Sequence, residues 1–184
     1  YGLSKYTRQT GETIKKIGTY VPNYGSQISI TIYNEFDELN LELSDPVASV
    51  SKRTIAYPGY YTFDVQAEEI SGNFYIRVQY DANGYEYPLP VETRIPGYAN
   101  PEIKSTGYQW ISNNGSDWTP VGKGGQEYDL CIRAYTKEKE PTASFETTQT
   151  AYCISDTVTF TDKSGGNISS YQWDFGEGAQ PKKT

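Results

Sequence analysis

Ser26-Gln27-Ile28-Ser29-Ile30-Thr31-Ile32-Tyr33 is the clearest strand in the chain, with Ile28, Ile30 and Ile32 facing one way and Ser29, Thr31 and Tyr33 the other. A period of two sends successive side chains to opposite faces, and β-branched residues suit a pleated, half-buried surface. The isoleucine side is a core face, so a second layer must cover it.

Working outward, the neighbouring segments read in the same way. Residues 1–7 and 12–21 (ETIKKIGTYV) flank a Thr-Gly turn, and Pro22-Asn23-Tyr24-Gly25 turns the chain into the isoleucine strand. Residues 35–43 (EFDELNLEL) fit a helical spacing through Phe36, Leu39 and Leu43 and a strand spacing through Leu39, Leu41 and Leu43; without a cap, the strand-like connection is preferred. Residues 47–56 precede a Tyr57-Pro58-Gly59 turn. Residues 60–67 then put Tyr61, Phe63, Val65 and Ala67 on one face. After Ser71-Gly72-Asn73, residues 74–80 alternate Phe74, Ile76, Val78 and Tyr80 against Arg77 and Gln79, and Asp81-Ala82-Asn83-Gly84 predicts a hairpin turn. After Tyr87-Pro88-Leu89-Pro90 the chain is loop-like as far as Gly107. Residues 108–112 and 117–121 pair across Asn113-Asn114-Gly115, and residues 128–135 (YDLCIRAY) form the last strand of this region. About eight strands at regular spacing predict an all-β fold, a jelly-roll-type β-sandwich.

Beyond it, Thr136-Lys137-Glu138-Lys139-Glu140-Pro141 reads as a short solvated linker. Residues 142–146, 157–161 and 171–175 alternate again, the last running from Tyr171, Trp173 and Phe175 into Gly176-Glu177-Gly178. Three strands are too few to bury a core on both faces, so this terminal module reads as part of a sandwich. The expected organisation is therefore a sandwich over 1–136, a linker over 137–141 and a partial β-sandwich over 142–184.

Composition narrows the chemistry. The 184 residues include eighteen Tyr and no His, with a formal charge of −7. Without histidine there is no Ser/His/Asp or Cys/His nucleophile and no His-containing zinc site. The acidic balance and scattered basic residues argue against nucleic acid as a partner. No run of eighteen apolar residues suggests a membrane-spanning helix.

Two stretches resemble known families. The ordered motifs GETIKKIGTY, ISITIY, GYYTFDV, SGNFYIRVQYDANGYEYPLPVE, GYQWISNNGSDWTPV and LCIRAYT, spread over residues 1–136, are similar to lectin-like jelly-roll domains. Such domains sit beside catalytic domains in secreted bacterial peptidases, particularly papain-like ones and especially in Bacteroidetes. The name of that family records a fold and not a sugar. The terminal pattern, Pro141-x-Ala143-x-Phe145, Val158-x-Phe160-x-Asp162-x-Ser164 and Tyr171-x-Trp173-Asp174-Phe175-Gly176-Glu177-Gly178, resembles the first half of an immunoglobulin-like PKD domain, with Glu177 where Asp is usual. Together the resemblances imply a non-catalytic accessory region of a secreted or cell-surface protein. The other domains of the same parent chain would be its partners, and a spacer or contact module would follow.

Candidate site residues cluster at loops. Tyr85, Tyr87, Asn113, Asn114, Asp117 and Trp118 combine rings with hydrogen-bonding groups, as a carbohydrate site requires. Tyr60, Tyr98, Tyr108 and Trp110 also lie on or next to loops. Trp110 and Trp118 read at least as well as cross-strand partners flanking the Asn113–Gly115 turn. Asp81, Asn83 and Glu86 offer oxygens for calcium but match no complete loop motif; no other cofactor is suggested. Cys131 and Cys153 leave a disulfide open, either to each other or, for Cys153, to a cysteine beyond Thr184. Glycans and surface proteins remain candidate partners, the latter through strand edges.

Overall fold

The structure is a computed structural model that describes residues 1–8, 12–67, 70, 72–82, 84–99, 107–122, 128–138, 140–148, 153, 156–166 and 168–177. All its regular elements are strands. They fall into two compact units, Tyr1–Lys137 and Glu138–Thr184.

In the first unit, β1 (Gly2–Thr7), β2 (Glu12–Val21), β3 (Ser26–Asp37), β4 (Glu42–Ile55), β5 (Gly59–Ala67) and β6 (Asn73–Asp81) supply most of the framework. Short strands follow: β7 (Val91–Thr93), β8 (Gln109–Ile111), β9 (Thr119–Pro120), β10 (Tyr128–Leu130) and β11 (Ile132–Glu138). A six-stranded sheet runs β4-β3-β6-β1-β8-β9, a three-stranded sheet runs β11-β2-β5, and β10 pairs with β7.

Between the two larger sheets lies the core that alternation anticipates. Ile28, Ile30 and Ile32 of β3 and Phe74, Ile76 and Val78 of β6 meet Ile14 and Ile17 of β2, Phe63 and Val65 of β5, and Ile132 of β11. Every one of these side chains is buried. Such burial stabilises by about 1.5–3 kcal/mol per large apolar side chain.

The back of the six-stranded sheet is also dry at one end. Leu3, Tyr33, Phe36, Tyr75, Trp110 and Trp118 form a second buried cluster there. Registers Tyr33↔Tyr75 and Leu3↔Trp110 place these residues on the face opposite Ile32 and Ile76. Arg77, opposite the apolar face of its strand, lies on this side with its guanidinium 5.3 Å from the centre of the Tyr33 ring and 5.9 Å from that of Tyr1.

Several expectations change. The ambiguous stretch 35–43 is a hairpin whose strands are the end of β3 and the start of β4, with Phe36↔Leu43 in register. The Asp37 carboxylate accepts from the backbone amides of Leu39 and Asn40, at 2.9 and 3.0 Å, which shapes the turn and lowers its pKa. The Tyr85 amide donates to the Ala82 carbonyl at 2.9 Å, but among the described residues β6 closes no hairpin with the segment that follows it. β6 pairs with β3 and β1 instead, and the Pro88 and Pro90 that follow lack amide donors for a ladder. The loop-like stretch expected after Pro90 contains β7, and the single strand expected over 128–135 is divided at Cys131 between two sheets.

In the second unit, β12 (Phe145–Thr147) and β13 (Phe160–Asp162) pair antiparallel with Phe145 opposite Asp162. The strand expected over 171–175 is not formed. Trp173 and Phe175 instead stack at 14° and contact Phe160 at ring-centroid distances of 6.0 and 5.0 Å.

Candidate functional site

A cleft of about 600 Å³ opens at the end of the sandwich where β7, β8 and β9 meet. Leu89, Val91 and Ile111 make its apolar surface; Tyr87, Tyr128, Asn113, Asp117 and Thr119 add rings and polar groups. The close approach of Leu89 to β1 depends on Gly2, where a Cβ would sit 3.0 Å from a Leu89 methyl and 3.1 Å from one of Leu130. β7 is anchored from behind by the Cys131 amide, which donates to the Pro90 carbonyl at 3.0 Å, and by the Arg133–Glu92 ion pair.

The loop between β8 and β9 is built by its own side chains. Asn114 Oδ1 accepts from Ser112 Oγ at 3.0 Å and from the amides of Ser116 and Asp117, both at 2.9 Å. Ser112 Oγ in turn accepts from the Gly115 amide at 2.8 Å, and Asn114 Nδ2 donates to Asp117 Oδ2 at 2.6 Å. Gly115, at φ 83°, lies against the Tyr1 ring, 3.1 Å from where its Cβ would be. The loop is therefore held before any ligand arrives.

Four of the six residues chosen from sequence thus come together: Tyr87, Asn113, Asn114 and Asp117 all line this cleft. Their roles differ. Asn114 spends its carboxamide on the loop, whereas Tyr87 is 77% exposed and Asn113 is exposed. Tyr85 is half exposed but does not line the cleft. Trp118 is 4% exposed and packs edge-on against Phe36, so its ring is not presented to solvent; this corrects its choice as a stacking residue. Hairpin cross-strand packing, which pairs Trp110 with Pro120, explains why aromatic residues beside a turn end up inside. Glu86, Leu89, Thr119 and Tyr128 were missed as cleft residues, because nothing local signals that β7 folds back beside β10.

Electrostatically, the cleft carries the carboxylates of Glu86 and Asp117 and no lysine or arginine among its described lining residues. It therefore suits a neutral or cationic partner. Of the residues considered for calcium, Asp81 is engaged by Lys52 at 2.7 Å, Glu86 faces the cleft, and Asn83 lies outside the described residues. The described residues contain no group of three His, Cys, Asp or Glu placed to hold a metal.

Both cysteines are free thiols, Cys131 buried and Cys153 exposed. Burial, with the Glu92 carboxylate adding to it, pushes the Cys131 thiol up to about 11. That is opposite to what an attacking thiolate needs. A further groove, of about 370 Å³, lies within the second unit beside Phe145 and Trp173, where the ring cluster is only partly covered.

Comparison with known proteins supports the architecture. No curated protein matches the chain. Among solved structures, the cysteine protease and lectin-like domains of Cwp84, a surface layer associated protein of Clostridium difficile, align with a TM-score of 0.53 at 18% identity. That alignment covers 74% of this chain and 32% of that one. The clostridial cysteine protease Cwp84 after propeptide cleavage aligns with a TM-score of 0.56 at 18% identity, over 74% of this chain and 35% of that one. The likeness is one of fold, and the chain spans about a third of the length of these proteins. The lectin-like domain family itself matches residues 5–136, well over half of the length, and the chain belongs to that family.

Proposed function

We propose that the chain is a non-catalytic accessory region of a larger secreted or cell-surface bacterial protein, with a peptidase as the parent, and that the β7–β9 cleft is its recognition surface. The observation that carries this reading is the cleft itself: a preformed loop, apolar walls, an open Tyr87 ring and hydrogen-bonding side chains. Nothing in it is poised for bond-making. The chain has no histidine, and the Cys131 thiol is held protonated. The proteins of similar fold carry a cysteine protease domain in the same chain, and one is described as surface layer associated, which supports an extracellular setting.

The second unit acts in this reading as a spacer or contact module of the immunoglobulin-like PKD kind. Its antiparallel β12–β13 pair and the ring cluster of Phe145, Phe160, Trp173 and Phe175 support that assignment. The domain boundary falls in the charged stretch 137–141, in keeping with a division into units after Lys137.

Hydrogen exchange on the native polypeptide and on the 184-residue chain by itself tests the recognition role. Protection over residues 86–91 and 111–119 that appears only in the native polypeptide, or on addition of its substrate, supports the reading. Identical exchange in all three samples contradicts it.

A further inference from the structure

The outer face of the three-stranded sheet carries a feature that neither the core nor the cleft explains. Tyr20 of β2, Tyr60 of β5 and Tyr135 of β11 come from three adjacent strands and are 48%, 40% and 43% exposed. They form one continuous set. Tyr20 and Tyr60 are opposite each other in register with ring centroids 5.0 Å apart, and the Tyr60 and Tyr135 hydroxyls are 2.7 Å apart.

What lies beneath them is Gly18. A Cβ there would sit 2.0 Å from Tyr60 Oη, 2.7 Å from Tyr60 Cζ and 2.9 Å from Tyr135 Cε2. The two rings therefore lean in from either side and lie over the glycine instead of standing away from the sheet. Each has protein below it and solvent above. Only glycine leaves room for this arrangement on the middle strand.

The surroundings select the ligand. Outward positions of the same strands hold Lys16, Thr62, Asp64, Gln66, Arg133 and Lys137, with no aliphatic side chain among them. Lys16 pairs with Asp64 at 3.1 Å and Arg133 with Glu92. The face is thus aromatic and rimmed by hydroxyls, with the Tyr20 and Tyr60 rings set at 64° to each other. A neutral sugar ring needs an aromatic face for its C–H surface and polar tips for its hydroxyls, which tyrosine provides on one side chain. A polymer crossing the three strands would meet all three rings.

We propose that Tyr20, Tyr60 and Tyr135, laid across Gly18, form a binding platform for a neutral polysaccharide. None of the three lines the β7–β9 cleft, so the platform is independent of the recognition role assigned there.

Native affinity electrophoresis of the full 184-residue chain in gels containing hydroxyethyl cellulose, galactomannan or glycogen tests the platform, with polygalacturonate as the charged comparator. The expected result is retardation by at least one neutral polymer, reduced at least fivefold in Tyr20→Ala and Tyr135→Ala and changed less than twofold in Tyr98→Ala, an exposed tyrosine outside both surfaces. Retardation by none of the neutral polymers, or only by polygalacturonate, overturns it. So does retardation lost in Tyr87→Ala and kept in the two platform variants. Tetranitromethane labelling of the unaltered chain is free of any folding defect in the variants. The retarding polymer should protect Tyr20 and Tyr135 from nitration, and equal nitration with and without it rejects the platform.

Discussion

The Phe36 ring meets the Trp110 indole edge-on, with centroids 4.9 Å apart at 70°, although β6 and β1 lie between their strands in the six-stranded sheet. That contact closes the second core, on the face of the sheet away from the three-stranded layer. Aromatic pairs in this geometry contribute beyond their area alone. Trp110→Ala should therefore lose about 3–5 kcal/mol of stability in urea unfolding followed by circular dichroism. A loss below about 1 kcal/mol would show that this face is not a core.

At Gly18 the cost of a substitution should depend on its neighbour. In a strand interior, alanine is ordinarily better than glycine by about 0.5–1 kcal/mol. Here the new methyl would collide with Tyr60, whose hydroxyl end must move and give up its contact with Tyr135. Gly18→Ala should be neutral or destabilising in the native background and less unfavourable in a Tyr60→Ala background, where only Tyr135 Cε2, 2.9 Å from the new Cβ, still crowds it. A double-mutant cycle measures the difference, and equal effects in both backgrounds would mean that the rings do not rest on the glycine.

The Cys131 thiol has its pKa raised by burial from 9.0 to about 11, so the folded chain holds this proton more tightly than the unfolded chain does. Its contribution to stability is therefore complete below about pH 9 and is lost as pH rises towards 11. Cys131→Ala should flatten the alkaline decline in stability across that window. In the folded chain at pH 8, Ellman's reagent should titrate Cys153 quickly and Cys131 only on unfolding. Two fast thiols would contradict the burial of Cys131.

Asn113 and Asn114 are adjacent on the cleft but should behave differently. Asn114 makes four hydrogen bonds through its side chain, to Ser112, Ser116 and Asp117. Its replacement by alanine should cost about 1–2 kcal/mol, in line with leaving loop amides unpartnered. Asn113→Ala should change thermal stability by less than about 0.5 kcal/mol, as for an exposed residue outside any network. Equal losses at the two positions would show that the loop is not organised by Asn114.

Much of the main core was legible because alternation works wherever one sheet face is dry. Ile28, Ile30 and Ile32, and Phe63, Val65 and Ala67, are buried as their spacing implies. The reading failed where both faces are covered. Tyr33, Tyr75 and Arg77 occupy polar positions of the pattern, yet Tyr33 and Tyr75 are buried by Phe36 and Trp110, which arrive from a strand end and a distant hairpin. Such long-range coverage leaves no local periodicity. The cleft was half legible for a related reason. Turn chemistry exposed Asn113, Asn114 and Asp117, but the return of Val91–Thr93 beside β10 depends on a pairing with Tyr128–Leu130 across a long separation in sequence. Trp173 and Phe175 alternate like strand residues and instead pack as rings against Phe160.

The central claim is that this chain works as an accessory part of a larger polypeptide, and the intact mass of the native protein, with peptide mapping on either side of the segment, tests it most directly. The account predicts a mass well above 20.7 kDa and peptides from a peptidase domain in the same chain. A native mass of 20.7 kDa, with no peptides outside these residues, would contradict it.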